Sequence, residues 1–215
     1  MIYLAKVSEF KQRMLDVRAE VGQYWLDRLV MQAQARRRQE LVVTGQVLAL
    51  LRQPELGMEI AIPGLNIVTD IGDEFYAYRG SNVQPPDGYF TDGATLPFDG
   101  IMELYNGASA APDKANDRSD LAGLVTGSGQ AMDSGYPKRD DDDTDNTGAG
   151  VDIVTYRRSY TTAQANATGI ADVVITNPSP GASEVLLMHA EFAATFDKTS
   201  SDTLKVFVNH SFLGV

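Results

Sequence analysis

From Val151 to the end of the chain, apolar and polar residues alternate in long runs. Val154, Tyr156 and Tyr160 fall on one side of the stretch 151–162, with Val151, Ile153 and Thr155 on the other. Ile170 to Thr176 follows, and Asn177-Pro-Ser-Pro-Gly181 reads as a turn. Between Ser183 and Phe196, one face collects Leu186, Met188, Ala190, Phe192, Ala194 and Phe196; between Asp202 and Gly214, one face collects Leu204, Val206, Val208, His210 and Phe212. A period of two marks half-buried strands. Five residues, Asp197 to Ser201, join the last two, so the pattern predicts a closing antiparallel hairpin with one buried face.

Upstream the signal breaks into shorter pieces. Glu59–Ile62, Leu65–Thr69, Glu74–Tyr78 and Ile101–Tyr105 are strand-like runs separated by Gly and Pro. Residues 106–150 are rich in Gly, Ala, Ser and Asp and poor in large apolar groups. Such a stretch predicts an extended arm or binding loop, ordered against a neighbouring subunit. Strands at this spacing predict a mainly β fold, an antiparallel β-sandwich or barrel.

The period changes near the start. Ala5 to Arg38 has no Pro and one Gly, and Val7, Phe10, Met14, Val17, Val21 and Tyr24 repeat at 3–4 spacing before the stripe drifts to Trp25, Leu29 and Gln32. This predicts an amphipathic helix. A second helical segment is expected over Gln39–Arg52, ended by Pro54. The chain therefore reads as an N-terminal helical extension, residues 1–56, on a β-rich domain, residues 57–215. A helix pair has no core of its own, so its stripe must pack on the body or on a partner chain. Met58 opens a self-sufficient remainder, so residues 1–57 read as an added docking element or as an upstream start.

Charge sharpens the division. The net charge is -11, yet residues 1–56 hold nine Lys/Arg against six Asp/Glu, while the remainder holds nine against twenty-three. An acidic body is poorly suited to phosphate contact, so no direct nucleic-acid binding is expected. No apolar run approaches the roughly 18 residues of a membrane span, and no membrane partner is expected. Charged residues follow Met1 at once, leaving no signal-peptide core. The absence of cysteine excludes disulfides and thiolate metal sites.

Candidate chemistry is thin. Within Asp140–Asp152, the residues Asp141, Asp143, Asp145 and Asp152 occupy positions 1, 3, 5 and 12 of a calcium-loop spacing, where carboxylates would supply oxygen ligands. Asn146 stands where such a loop needs Gly, and the closing residue is Asp rather than Glu. The run therefore reads first as a solvated loop, with calcium as the alternative and no other cofactor expected. His189 and His210 lie in the two strands of the expected hairpin, where a two-histidine metal site or acid–base pair would need a third ligand that the spacing does not provide. No Gly-x-Ser-x-Gly elbow is present; Thr126-Gly-Ser-Gly129 is the nearest string. Phe75, Tyr76, Tyr78, Tyr89, Phe90 and Phe98 could stack on sugars or fill a core. Arg36-Arg-Arg38 could meet a phosphate or an acidic surface.

Four strings carry a resemblance: Ser109-Ala-Ala-Pro-Asp-Lys114, Gly127-Ser-Gly-Gln-Ala-Met-Asp-Ser-Gly-Tyr-Pro137, Thr155-Tyr-Arg-Arg-Ser-Tyr160 and Phe192 through Asn209. They resemble a loose family of tailed-bacteriophage structural proteins, over about residues 100–215. The resemblance implies a non-enzymatic virion component with a β-sandwich or barrel, a capsid decoration protein or a neck or tail component. It further implies self-association, binding to other virion proteins, and a location in the virion after synthesis in the host cytoplasm. The alternatives are a carbohydrate-binding β-sandwich module, calcium-dependent through the Asp run, and a hydrolase built on carboxylates.

Overall fold

In the computed structural model, placement is described for residues 42–81, 90, 98–139, 152–177 and 185–213. The strands are β1 (Val42–Gln53), β2 (Met58–Val68), β3 (Ile101–Tyr105), β4 (Gln130–Ala131), β5 (Lys138–Arg139), β6 (Asp152–Tyr160), β7 (Ala167–Thr176), β8 (Leu186–Lys198) and β9 (Thr203–Leu213). One α-helix, α1 (Asp70–Gly80), follows β2. The expected helix over residues 5–38 and Arg36–Arg38 lie outside the described residues.

All nine strands belong to one antiparallel sheet, in the order β4-β3-β7-β8-β2-β1-β9-β6-β5. The expected mainly β, sandwich-or-barrel architecture is therefore present. Seven long strands separate the two ends. Because seven is odd, β3 and β6 point the same way and cannot pair antiparallel with each other. Residues 130–139 lie between them as a divided eighth strand, antiparallel to both: β4 pairs with β3 through Met102↔Gln130, and β5 pairs with β6 through Lys138↔Thr155. This divided strand nearly closes the sheet into a barrel.

The interior is filled by alternate residues of every long strand. Val47, Ala49 and Leu51 meet Val206 and Val208, Met188 and Ala190, Val173 and Ile175, and Met102 and Leu104 in one buried cluster. Each fully buried aliphatic side chain contributes about 1.5–3 kcal/mol. A smaller cluster, Tyr105, Val174 and Leu186 with Leu121, lies outside the sheet, beneath residues 106–125. A register shift between Ile175 and Thr176 turns Leu186 to this second cluster and puts Leu187 in the core, so the face expected for Leu186 is not the one it takes.

Four expectations are corrected. Gln39–Arg52 is not helical from Val42 onward; it is β1, at the centre of the sheet. Its run Val47-Leu-Ala-Leu-Leu51 is apolar on both faces, which hides the period of two. The boundary at 56/57 consequently falls inside a β-hairpin, and residues 58–215 are not a self-sufficient remainder. Glu74–Tyr78 is not a strand but part of α1, whose N-cap Thr69 accepts the Gly72 amide (3.0 Å) and donates to the Leu186 carbonyl. Gly72 is required there, since a Cβ would collide with the Leu187 carbonyl oxygen. The last two strands are joined by a short turn, yet they are not neighbours: the β1–β2 hairpin lies between β8 and β9. Finally, residues 106–139 are ordered against their own barrel rather than awaiting another subunit.

Candidate functional site

Polar side chains concentrate in three groups, two of them along the long segment after β3 and the third beneath α1. The first is the seam between the divided strand and β6. Asp133 donates its amide to the Arg157 carbonyl (2.9 Å), and its carboxylate receives Arg157 Nε (2.8 Å), Ser159 Oγ (2.7 Å) and Ser159 N (3.0 Å). Arg157 also donates to the Tyr136 hydroxyl (2.8 Å), and its guanidinium lies 4.1 Å from the centre of that ring. Burial pushes the Asp133 carboxyl up, but the Ser159 hydroxyl, the Ser159 amide and Arg157 together outweigh it and hold the pKa below the usual range. From inside the barrel, the Tyr160 hydroxyl donates to the carbonyls of Ser128 (3.1 Å) and Met102 (3.3 Å), spanning from β6 to β3.

The second group fastens residues 113–121 over the outer face of β3, β7 and β8. Glu103, nearly fully buried, is paired with Arg118 and receives the Tyr105 hydroxyl (2.7 Å). Burial and the Glu103 carboxylate raise the Tyr105 pKa to about 12. On β8, His189 Nδ1 donates to Asn116 Oδ1 (2.9 Å), while its Nε2 faces Asp172 Oδ1 at 3.4 Å. Lys114 pairs with Asp73 of α1, and the Asp70 amide donates to the Lys114 carbonyl (2.8 Å). The Glu103 carboxylate can stay buried because Arg118 pairs with it.

The third group caps the interior beneath α1. Tyr76 shares one hydrogen bond with Tyr156 (2.8 Å) and another with His210 Nδ1. Phe75, Phe90 and Phe98 pack around them with ring centroids 5.4–6.0 Å apart. Burial alone pushes the His210 pKa down to about 3, so the imidazole is neutral. Burial, with Tyr156 beside it, raises Tyr76 well above the usual phenol. Gly45 lies between His210 on β9 and Asn66 on β2, and its missing Cβ makes room for the Asn66 side chain.

These positions decide several sequence expectations. His189 points outward on β8, and His210 points inward on β9, with β2 and β1 between them, so they form no two-histidine site. Ser128 is buried and receives the Leu104 amide (3.0 Å), a strut rather than an exposed nucleophile. Phe75, Phe90 and Phe98 belong to the core rather than to a sugar-stacking platform; Tyr89 lies outside the described residues. Asp141, Asp143 and Asp145 also lie outside them, and Asp152 is placed at the start of β6, opposite Phe212. Among the described residues, no group of three or more His, Asp or Glu side chains is arranged to hold a metal ion, and no helix is long and apolar enough to cross a membrane. The seam and the Glu103–Arg118 and Asp172–His189 pairs carry no sequence signal, because their members are far apart in the chain.

Compared with family models, curated proteins and solved structures, the chain matches none.

Proposed function

We propose that this chain is a non-enzymatic structural protein of a tailed-phage virion. It assembles with copies of itself and binds other virion subunits, as a capsid decoration protein or a neck or tail component. One observation supports this reading above others: three of the four strings that carry the phage resemblance lie in the barrel wall and at its closing seam. Gly127–Pro137 contains β4 and runs up to the start of β5, Thr155–Tyr160 is the part of β6 fastened to it through Asp133, Arg157 and Ser159, and Phe192–Asn209 runs from β8 through the last turn into β9. Ser109–Lys114 lies in the segment fastened over β3 and α1. In this reading the polar side chains serve to make a rigid unit, which is what symmetric packing against neighbours requires. The acidic body meets protein rather than nucleic acid, and the protein acts in the virion after synthesis in the host cytoplasm.

Light scattering on the purified chain, followed by co-sedimentation with tailed-phage shells and tails, tests the proposal. Oligomers that pellet with phage particles are the expected result. A monodisperse monomer that leaves the particles bare overturns it.

A further inference from the structure

A groove of about 280 Å³ lies where β1, β9 and β6 run side by side. Leu51, Leu204 and Tyr160 face the core, so Leu50, Arg52, Thr203, Lys205 and Ser159 face outward. Arg52 stands opposite Thr203, and Lys205 stands between Leu50 and Ser159. The two cations are therefore diagonal neighbours, about 7–8 Å apart at the backbone, and both side chains can reach one anion between them. Both are exposed, and among the described residues neither has an ion pair or a hydrogen bond. Lys205 Nζ lies 6.0 Å from the centre of the Phe207 ring. Elsewhere Arg118, Lys114 and Arg157 are matched to Glu103, Asp73 and Asp133.

We propose that this groove seats a carboxylate from a second copy of the chain, an inference that rests on the self-association proposed above. Charge selects the ligand. Arg52 and Lys205 supply two positive charges, and Glu59, opposite Arg52 on β2, removes one. Asp133, bonded to Ser159, is already neutralised by Arg157 and Arg158. The single positive charge that remains matches one carboxylate, whereas a phosphate near about -2 would be left half compensated. Space selects it too. The volume lies just below the roughly 300–1,000 Å³ of sites for drug-sized ligands and suits one acidic side chain. Leu50 lies ready for its methylenes, and the Thr203 hydroxyl offers a donor. The same chain supplies the partner chemistry, since residues 57–215 hold twenty-three Asp/Glu against nine Lys/Arg. Two such bodies repel each other, so contact is favoured where cations stand unmatched. A groove on one copy filled by a carboxylate from elsewhere on the next is a head-to-tail contact, which can continue from copy to copy.

Carbodiimide coupling of the full-length protein tests the proposal, because the reagent joins a lysine amine directly to a carboxylate touching it. An equal mixture of unlabelled and isotope-labelled protein, assembled and coupled, should yield peptides that join Lys205 of one label to an Asp or Glu of the other. Lys205→Arg keeps the charge and should keep assembly while losing those peptides. Arg52→Ser with Lys205→Ser should weaken self-association about tenfold or more in sedimentation velocity, with the urea midpoint unchanged because both side chains are exposed. Exchanging the cations, Arg52→Lys with Lys205→Arg, should assemble like the wild type. Raising the salt from about 0.05 M to about 0.5 M should weaken wild-type association. Assembly in which Lys205 forms no mixed-label peptide, or which survives the double serine substitution, overturns the proposal and leaves self-association to another surface. A wild-type chain that stays monomeric overturns the proposal together with the self-association on which it rests.

Discussion

Replacing Asp133 with alanine tests whether the divided strand holds the barrel shut. The carboxylate accepts three hydrogen bonds, from Arg157 Nε and from the side chain and amide of Ser159, and it lies 3.8 Å from Arg158. Its side chain is 15 % exposed, so solvent weakens each interaction without abolishing it. Bonds to a charged group contribute about 1.5–3 kcal/mol each when buried; discounted for exposure and for losing one acceptor to several donors, the expected cost is ~3 kcal/mol. For a chain of this size that corresponds to a drop of about 1 M in the urea midpoint. Asp133→Asn keeps one acceptor and should lose about half as much. The pH dependence follows from the depressed carboxyl pKa: the folded value lies below the unfolded one near 3.9, so the contribution is complete above about pH 5 and disappears as pH falls through the folded value. Urea titrations of wild type and variant from pH 7 to pH 3 should therefore show the gap narrowing toward the acid end. Hydrogen exchange should quicken first in residues 130–139 and in β3 and β6. A midpoint change below about 0.3 M, or a gap that widens on acidification, refutes the reasoning.

Other perturbations reach different parts of the molecule. His210 has a folded pKa of about 3 against roughly 6.5 unfolded, so the unfolded chain gains its proton first as pH falls; stability should drop by ~3 kcal/mol between pH 6.5 and 4, and His210→Gln should flatten that part of the profile in chemical denaturation. Arg118→Ala leaves Glu103 buried with the Tyr105 hydroxyl as its remaining described partner from this group and should cost ~3 kcal/mol; calorimetry should show Arg118→Met with Glu103→Gln to be much milder. Gly45→Ala places a Cβ in collision with Asn66 Cγ and 2.8 Å from Asn66 Cβ and should cost about 1–3 kcal/mol; Asn66→Ala in the same chain removes the Cγ contact but keeps the Cβ one, and should recover part of the cost in a double-mutant cycle.

The strands that alternated cleanly in the sequence are strands in the structure. Leu204, Val206 and Val208 are buried on one face because Lys205 and Asn209 fix the opposite one as polar. β1 escaped because Leu48 and Leu50 are apolar where a half-exposed strand is usually polar, and α1 escaped because Phe75, Tyr76 and Tyr78 have strand preferences. The Thr69 cap and the acids Asp70 and Asp73 were the readable helix-start signal in that stretch. Missing β1 also produced the wrong neighbours for β8 and β9: a short turn argues for adjacency, and only a hairpin inserted between the two strands overrides it. The polar pairs were illegible for a different reason. Glu103 and Arg118, Asp133 and Arg157, or Tyr76 and His210 meet only after the sheet has curved, and nothing local to either residue announces its partner.

The divided strand has a consequence for crowding. An open sheet displays a row of unpaired backbone groups along each outer strand, and any other extended chain can add to it. Here the outermost strands are only two residues long, and each is supplied from the middle of the same chain. A barrel finished in this way offers little for a neighbouring copy to extend. Many copies can then stand side by side at high local concentration, meeting through side-chain surfaces without zipping into a continuous sheet.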